Sequence, residues 1–226
     1  IQLQPDRIAF YSYAHVPWKH KAQRGYSEAD LPSDSAKYAL YEAGKKLLLQ
    51  NGYEDVGMDH FAKPTDELHL AKLSGTLHRN FMGYTTTPSK LLIGLGVSSI
   101  SDAYSAYAQN VKTVEEYYKL LEQNELPLLK GYTLTDADTV IRQHILNMAC
   151  RNTTALTKHK ISESQYDDIM RNLFALESDG LLIVTAGAVQ VTDIGNRFIR
   201  NICAAFVLNM LAHGSQPMQM MFSKAV

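Results

Sequence analysis

Apolar and polar positions change rhythm several times along the first hundred residues. Ile8-Ala9-Phe10-Tyr11-Ser12-Tyr13 is an almost unbroken apolar and aromatic run of strand length, the pattern of a strand buried on both faces, and Pro17 ends it. From Ser33 the period lengthens. Ala36, Leu40, Ala43 and Leu47 recur on one face of a helix that Ser33 can cap and Gly52 can terminate. Tyr53 to Met58 predicts a second strand and Glu67 to Leu73 a short helix. After a loop through His78 to Thr87, Leu91-Leu-Ile-Gly-Leu-Gly-Val97 predicts a third strand. Strand alternating with helix predicts an α/β fold whose parallel sheet is flanked by helices.

From about residue 113 the pattern is mainly helical. Thr113 to Glu116 fits a capping box, Thr135 can cap a helix carrying Ile141, Ile145 and Met148, and Ser162 to Gln165 opens another that ends at Gly180. Leu181 to Val184 and Val189 to Val191 then predict a hairpin across Thr185 to Ala188, with a last long helix from Thr192 through Phe206. Three helices, a hairpin and a helix resemble a winged-helix arrangement. Pro127 and Gly131 interrupt both patterns, which puts a boundary near 126–132 and divides the chain into residues 1–126 and 127–226. The Met-rich stretch from Gly214 reads as a loosely ordered tail.

Charge narrows the partners. With 22 Lys and Arg against 23 Asp and Glu, the net charge of −1 supplies no field to collect nucleic acid or an anionic membrane. The segment Tyr166 to Asp179 carries Asp167, Asp168, Glu177 and Asp179 against Arg171 alone, so a DNA-reading role for the winged-helix-like part is disfavoured. No apolar run reaches the roughly 18 residues of a membrane span, and a cytoplasmic location is the default expectation. Cys150 and Cys203 are far apart and match no zinc, redox or cluster spacing; both read as buried free thiols. The start at Ile1, close to an expected strand, suggests a piece of something longer.

In a parallel α/β sheet, ligands gather where strands end. The candidates are Ala14 and His15 after the first strand, Asp59 and His60 after the second, and Ser98 to Ile100 after the third. An Asp-His pair there can do acid-base or carboxylate-binding work, or can simply fix a turn. His78-Arg79-Asn80 and Lys19, His20, Lys21 and Arg24 can meet an anionic substrate or can be solvated surface. Gly94-Leu-Gly96-Val-Ser98-Ser99 completes no phosphate-binding glycine motif, and the eight His include no paired zinc spacing.

Several longer strings are more specific. Tyr13-Ala-His-Val-Pro17, Lys21-Ala-Gln-Arg24, Gly57-Met-Asp-His-Phe-Ala62, Asp66-Glu-Leu68, Gly75-Thr-Leu-His-Arg-Asn-Phe81, Gly83-Tyr84-Thr85, Gly94-Leu-Gly-Val-Ser98 with Ile100-Ser101, Tyr107-Ala-Gln-Asn110 and Arg200-Asn-Ile-Cys203 follow one another in order. Together they closely resemble the second half of the oxygen-independent coproporphyrinogen III oxidases, across essentially the whole chain. Haem chaperones of similar sequence carry a His-Asn…Tyr-Trp motif near Gly75 to Tyr84. Here Arg79 follows His78 and no Trp adjoins Tyr84, though a non-enzymatic, haem-binding protein of the same fold stays the alternative.

The resemblance implies the last part of a partial (β/α) radical S-adenosylmethionine barrel, followed by a mainly helical C-terminal domain. It implies an enzyme that cleaves S-adenosylmethionine reductively and uses the resulting radical to decarboxylate two propionates of coproporphyrinogen III, giving protoporphyrinogen IX in haem biosynthesis. By the same resemblance Ala14 and Ile100 match positions that contact the cluster-bound S-adenosylmethionine, and Phe81 and Met82 match positions at a second one. Met82 stands where Gln is usual, and Val207 where Asp is usual. His15, Arg24 and Arg79 are the substrate-side candidates, and Asp59 and His60 the catalytic ones. The C-x-x-x-C-x-x-C motif that holds the family's 4Fe-4S cluster is absent, so the missing N-terminal half is an implied partner and this chain alone is expected to be inactive, with no metal site of its own.

Overall fold

In the computed structural model, residues 2–18 and 20–207 are described; Lys19 and the Met-rich stretch after Gly214 lie outside them. The chain packs as two compact units that divide between Leu73 and Ser74. The expected boundary near 126–132 does not coincide with this division, and most of that stretch is a paired strand.

The first unit holds β1 (Arg7–Ala9), α1 (Asp34–Gln50), β2 (Glu54–Gly57), β3 (His60–Ala62) and α2 (Glu67–Leu73). Its sheet has the order β1-β3-β2 and is antiparallel throughout, with Ile8 opposite Phe61 and Asp55 opposite Phe61. The expectation of parallel strands is corrected here. β2 and β3 are joined by Met58 and Asp59 alone, both at positive φ (40° and 69°), and a two-residue turn can only reverse the chain. β3 is three residues long, too short to show a period in the sequence.

The core of this unit is Leu48, Tyr53 and Phe61, with Ile8 and Phe10 against it. Phe10 stacks on Tyr41 at 5.6 Å between ring centroids. Its ring also lies over Gly44, where a Cβ would sit 2.3 Å from Phe10 Cζ. Ser33 caps α1 as expected, accepting from the Ala36 amide at 3.2 Å. The buried face of α1 is a different one. Leu48 is buried and Tyr41 and Gly44 half-buried, whereas Leu40 is 63% and Leu47 50% exposed. Both faces carry apolar residues at helical spacing, and the aromatic Phe10 selects the one bearing the glycine. The expected strand to Tyr13 stops at Ala9; Tyr11 and Tyr13 are exposed rather than buried on both faces.

The second unit begins with the hairpin β4 (His78–Asn80) and β5 (Gly83–Thr85). A sheet of β6 (Ile100–Asp102), β7 (Ala106–Asn110) and β8 (Leu128–Thr133) follows, again antiparallel, with α3 (Val114–Glu122) between β7 and β8. The expected third strand, Leu91 to Val97, is irregular and contributes an isolated bridge from Leu92 to Asp102. Apart from the half-buried Leu92 its apolar residues are exposed, Leu91, Ile93 and Leu95 at 59%, 66% and 84%. What holds it is polar. The Asn110 amide donates to the carbonyls of Gly94 and Gly96 and to Ser99 Oγ at 2.9–3.2 Å.

The remainder is α4 (Asp136–Arg151), β9 (Thr153–Ala155), α5 (Glu163–Ser178), β10 (Leu182–Val184), β11 (Ala188–Val191) and α6 (Ile199–Ala204). Thr135 with Asp138 and Ser162 with Gln165 form complete capping boxes. At Thr113 the hydroxyl accepts from the Glu116 amide, which is the first half of such a box. The expected hairpin forms, and β9, which periodicity did not indicate, joins its edge in the order β10-β11-β9. The last helix is shorter than expected. Thr192 Oγ1 accepts from the Gly195 amide, a 3-10 turn follows over Gly195–Phe198, and α6 runs six residues. Met148, Ile169, Leu173, Leu182, Val189, Ile202 and Phe206 are fully or almost fully buried and make the core. Both units mix helix and strand, so the α/β class holds, in small sheets that do not close into a barrel.

Candidate functional site

In the first unit, the extended segment after β1 carries Ala14 and His15. Gln23 fixes its path, accepting from the Val16 amide at 2.6 Å and donating to the Ala14 carbonyl at 3.1 Å. Arg24, expected on the substrate side, donates through Nε to the Pro17 carbonyl at 3.0 Å and so holds the same segment. The Tyr13 hydroxyl bonds both His15 Nδ1, at 3.1 Å, and the Tyr26 hydroxyl. Loss of solvent and then the Tyr26 bond push the Tyr13 phenol up to about 12. A cavity of about 410 Å³ lies here, walled by Phe10, Tyr11, Tyr13, His15, Trp18 and Tyr41.

Asp59 and His60 stand just behind that wall, at the turn between β2 and β3. His60 Nδ1 lies 2.9 Å from the Met58 carbonyl oxygen, and its Nε2 is 3.4 Å from the Tyr11 hydroxyl. Burial raises the Tyr41 phenol, and the charge and hydrogen bond of Asp59 raise it further. Both residues therefore fix local structure and also touch two cavity-lining tyrosines.

In the second unit, Phe81 and Met82 form the tip of the β4–β5 hairpin. The tip is set by Asn80 Oδ1, which accepts from the Met82 amide at 2.9 Å, and by Gly83 at φ 128°. Phe81 is half exposed and meets Tyr107 edge-on at 5.0 Å, while Met82 is 87% exposed. The Arg79 guanidinium lies 4.8 Å from the centroid of Tyr84, and its buried Nη1 has no hydrogen-bond partner among the described residues. Ile100 is half-buried in β6 opposite Gln109 of β7. Its backbone is approached so closely by Gly94 that a Cβ on Gly94 would lie 2.9 Å from it.

Sequence reasoning missed the group that organises this side. Arg142 of α4 makes a two-pronged pair with Asp102 of β6, Nη1 to Oδ1 at 3.0 Å and Nη2 to Oδ2 at 2.5 Å, and lies 5.3 Å from the Tyr107 ring centroid. The partners are forty residues apart, and nothing local in the sequence joins them. His78, in β4, has its pKa lowered by burial first and then by the charge of Arg142.

An S-adenosylmethionine needs an apolar wall for its adenine and a small residue where backbone must approach. Within the second unit Ile100 and, separately, the hairpin tip Phe81 and Met82 offer apolar side chains, and within the first unit Ala14 lies on a pinned backbone segment. An iron-sulfur cluster does not fit. The chain has two cysteines, and burial pushes Cys150 up to about 11 and Cys203 up to about 12, away from the thiolate form a cluster needs. No grouping of three or more His, Cys, Asp or Glu that could hold a metal ion occurs among the described residues, and no helix there is long and apolar enough to cross a membrane.

No family model matches the chain. Individual proteins do. It is 39% identical over 237 residues to the oxygen-independent coproporphyrinogen III oxidase of Synechocystis sp., covering 100% of this chain and 50% of that protein. The oxidase of the same name from Thermostichus vulcanus is 36% identical over 234 residues, with 100% of this chain and 70% of the relative covered. The structure of coproporphyrinogen III oxidase from Escherichia coli, a radical SAM enzyme, superposes with a TM-score of 0.83 at 38% identity over 92% of this chain and 49% of the other. The chain thus spans about half the length of the Synechocystis and Escherichia coli relatives, 50% and 46%. With a 36% identical relative matched over more than two thirds of its length, the chain belongs to the oxygen-independent coproporphyrinogen III oxidase family.

Proposed function

We propose that this chain is the C-terminal half of an enzyme that converts coproporphyrinogen III to protoporphyrinogen IX by oxidative decarboxylation of two propionates. In that reading the upstream half brings the three cluster cysteines. Residues 1–126 are proposed to adjoin its barrel, as small sheets that do not themselves close, and 127–226 to form the C-terminal domain, whose helices and hairpin are winged-helix-like. The carrying observation is 39% identity to a named oxidase over the whole of this chain and half of that protein, with the sequence strings in family order.

S-adenosylmethionine held on the upstream cluster would supply the one-electron chemistry; this chain's residues bind, orient and exclude water. Ala14 and Ile100 are the proposed contacts to that molecule, and Phe81 and Met82 to a second. Met82 brings a thioether where an amide is usual, so contact there is apolar. His15, Arg24 and Arg79 are proposed to face the anionic substrate, with Asp59 and His60 as candidate proton-handling groups beside the aromatic cavity.

The test is to join the chain to an upstream half carrying C-x-x-x-C-x-x-C. The product is incubated anaerobically with coproporphyrinogen III, S-adenosylmethionine and reductant. Release of CO₂ with formation of protoporphyrinogen IX is expected. Tight haem binding without CO₂ release would overturn the reading in favour of a non-enzymatic haem carrier.

A further inference from the structure

A second cavity, of about 250 Å³, lies in the second unit between the loop after β5 and the helix α4; its lining includes His78 but none of the residues given a role under the proposed function. Its walls carry His78, Lys90, Arg142 and Arg151, and no Asp or Glu is among the described residues that line it. These cations are not equivalent. Arg142 is neutralised by its two bonds to Asp102 and is tied further to the Tyr104 carbonyl at 3.2 Å. Among the described residues Arg151 is held by neutral acceptors, through Nε to the Gly75 carbonyl at 3.1 Å and through Nη1 to Asn147 Oδ1 at 2.8 Å. Among the described residues no carboxylate pairs with Arg151 or with the exposed Lys90. Two positive charges therefore converge on a concave site without compensation, and one of them is pinned in direction. The His78 pKa is lowered first by burial and then by Arg142 and Arg151, with Asp102 acting the other way, so both guanidiniums lie within electrostatic reach of the cavity's imidazole.

We propose that this cavity is a carboxylate-binding subsite, with Lys90 and Arg151 as the charged contacts and the Asp102-Arg142 pair as the fixed wall behind them. The guanidinium fork suits a carboxylate, and an anion here gains from charge-assisted bonds to two exposed cations on a concave surface. At about 30 Å³ for each water, the space holds roughly eight, and it lies below the range of about 300–1,000 Å³ usual for whole drug-sized ligands. It accommodates a short acid or one arm of a larger polyacid. The cavity is one ring away from the hairpin tip. Phe81 meets Tyr107, and Tyr107 lies under Arg142, which lines the cavity.

The carboxylate has two possible sources, a propionate arm of the tetrapyrrole or a free small acid. Only the first rests on the proposed function. The 226-residue chain would be titrated with coproporphyrin III, with its tetramethyl ester, and with propionate and succinate. The same titrations would be run on Lys90→Gln and on Lys90→Gln/Arg151→Gln, with melting temperatures measured alongside. Coproporphyrin III binding weakened tenfold or more in the double variant, with the ester binding at least tenfold more weakly than the free acid, supports the arm. Small acids binding with the same variant dependence, and coproporphyrin no tighter, support the subsite with a free acid as its occupant. In either case the His78 pKa, followed by its ring proton resonances, should rise on saturation. Lys90→Gln alone removes no hydrogen bond among the described residues, so it stays informative if the double variant fails to fold. Wild-type binding of every acid by well-folded variants, or an unmoved His78 titration at saturation, overturns the subsite. Turnover of the joined enzyme is read separately, so either reading can fail while the other stands.

Discussion

Ile100 and His144 show how much single side chains decide here. Ile100 is half-buried in β6, and as the proposed apolar wall for S-adenosylmethionine it gains by excluding water from the adenine face. A carboxylate there must be stripped of water or keep water in the site, at a cost of several kcal/mol, and about 1.4 kcal/mol is already tenfold in affinity. In the joined enzyme, Ile100→Asp should weaken S-adenosylmethionine binding tenfold or more without changing iron content, and Ile100→Val should do little; equilibrium binding alongside iron analysis checks both. His144 is buried in α4, its Nδ1 2.9 Å from Thr154 Oγ1 and its ring stacked on Phe206 at 5.4 Å. Burial lowers its pKa below the ordinary value of 6.5. The unfolded chain then binds the proton more readily. The stability present above about pH 6.5 is lost as pH falls from there through the depressed folded value. Melting temperature should drop across that window, and His144→Gln, which keeps a hydrogen-bonding group without the titration, should flatten the drop.

At the level of elements, close backbone contacts and ion pairs do the joining. Gly195 opens the turn before α6 so tightly against Leu181 that a Cβ there would lie 1.7 Å from the Leu181 carbonyl oxygen. Neither neighbour can yield as a side chain could. Gly195→Ala should cost about 3 kcal/mol, the upper end for overpacking, and lower the melting point by roughly 6–12 °C. Asp102 and Arg142 link β6 to α4 with side chains 10% and 17% exposed. Asp102→Asn keeps the shape and leaves the guanidinium charge without its partner, so about 3 kcal/mol should be lost. Chemical denaturation measures it, and replacing both partners together should cost less than the sum. The helix caps were legible in advance because each is made within four residues, as at Thr135 with Asp138 and Ser162 with Gln165. The pairing of β2 with β3 was not, since three residues carry no readable period.

For the whole molecule, the half-length match carries the clearest consequence. Cys150 and Cys203 cannot replace three cluster thiolates, so anaerobic reconstitution of this chain alone should leave it without stoichiometric iron, and iron should appear only when the upstream half is joined. Iron and sulfide analysis of both preparations decides it. The exposed apolar face of α1, with Leu40 and Leu47, belongs to the same scale. The sequence places these residues on one helix face, and among the described residues nothing buries that face.

The sequence by itself determined the family, the alternation of helix and strand, the caps and glycine exits of the helices and the hairpin near Gly187. These are local matters, settled by what a few neighbouring residues can bond or tolerate, or by strings specific enough to stand without a structure. Tertiary structure alone decided strand direction, the buried face of α1, the exposure of Leu91, Ile93 and Leu95, and the joining of Asp102 to Arg142. Each depends on a partner distant in the chain. On α1 two apolar stripes compete, and the choice falls to Phe10, whose ring needs the missing side chain of Gly44. The basic cavity is a product of the same kind. Lys90, Arg142 and Arg151 are ordinary cations in the sequence, and only the packing of a loop against a helix turns them into one field.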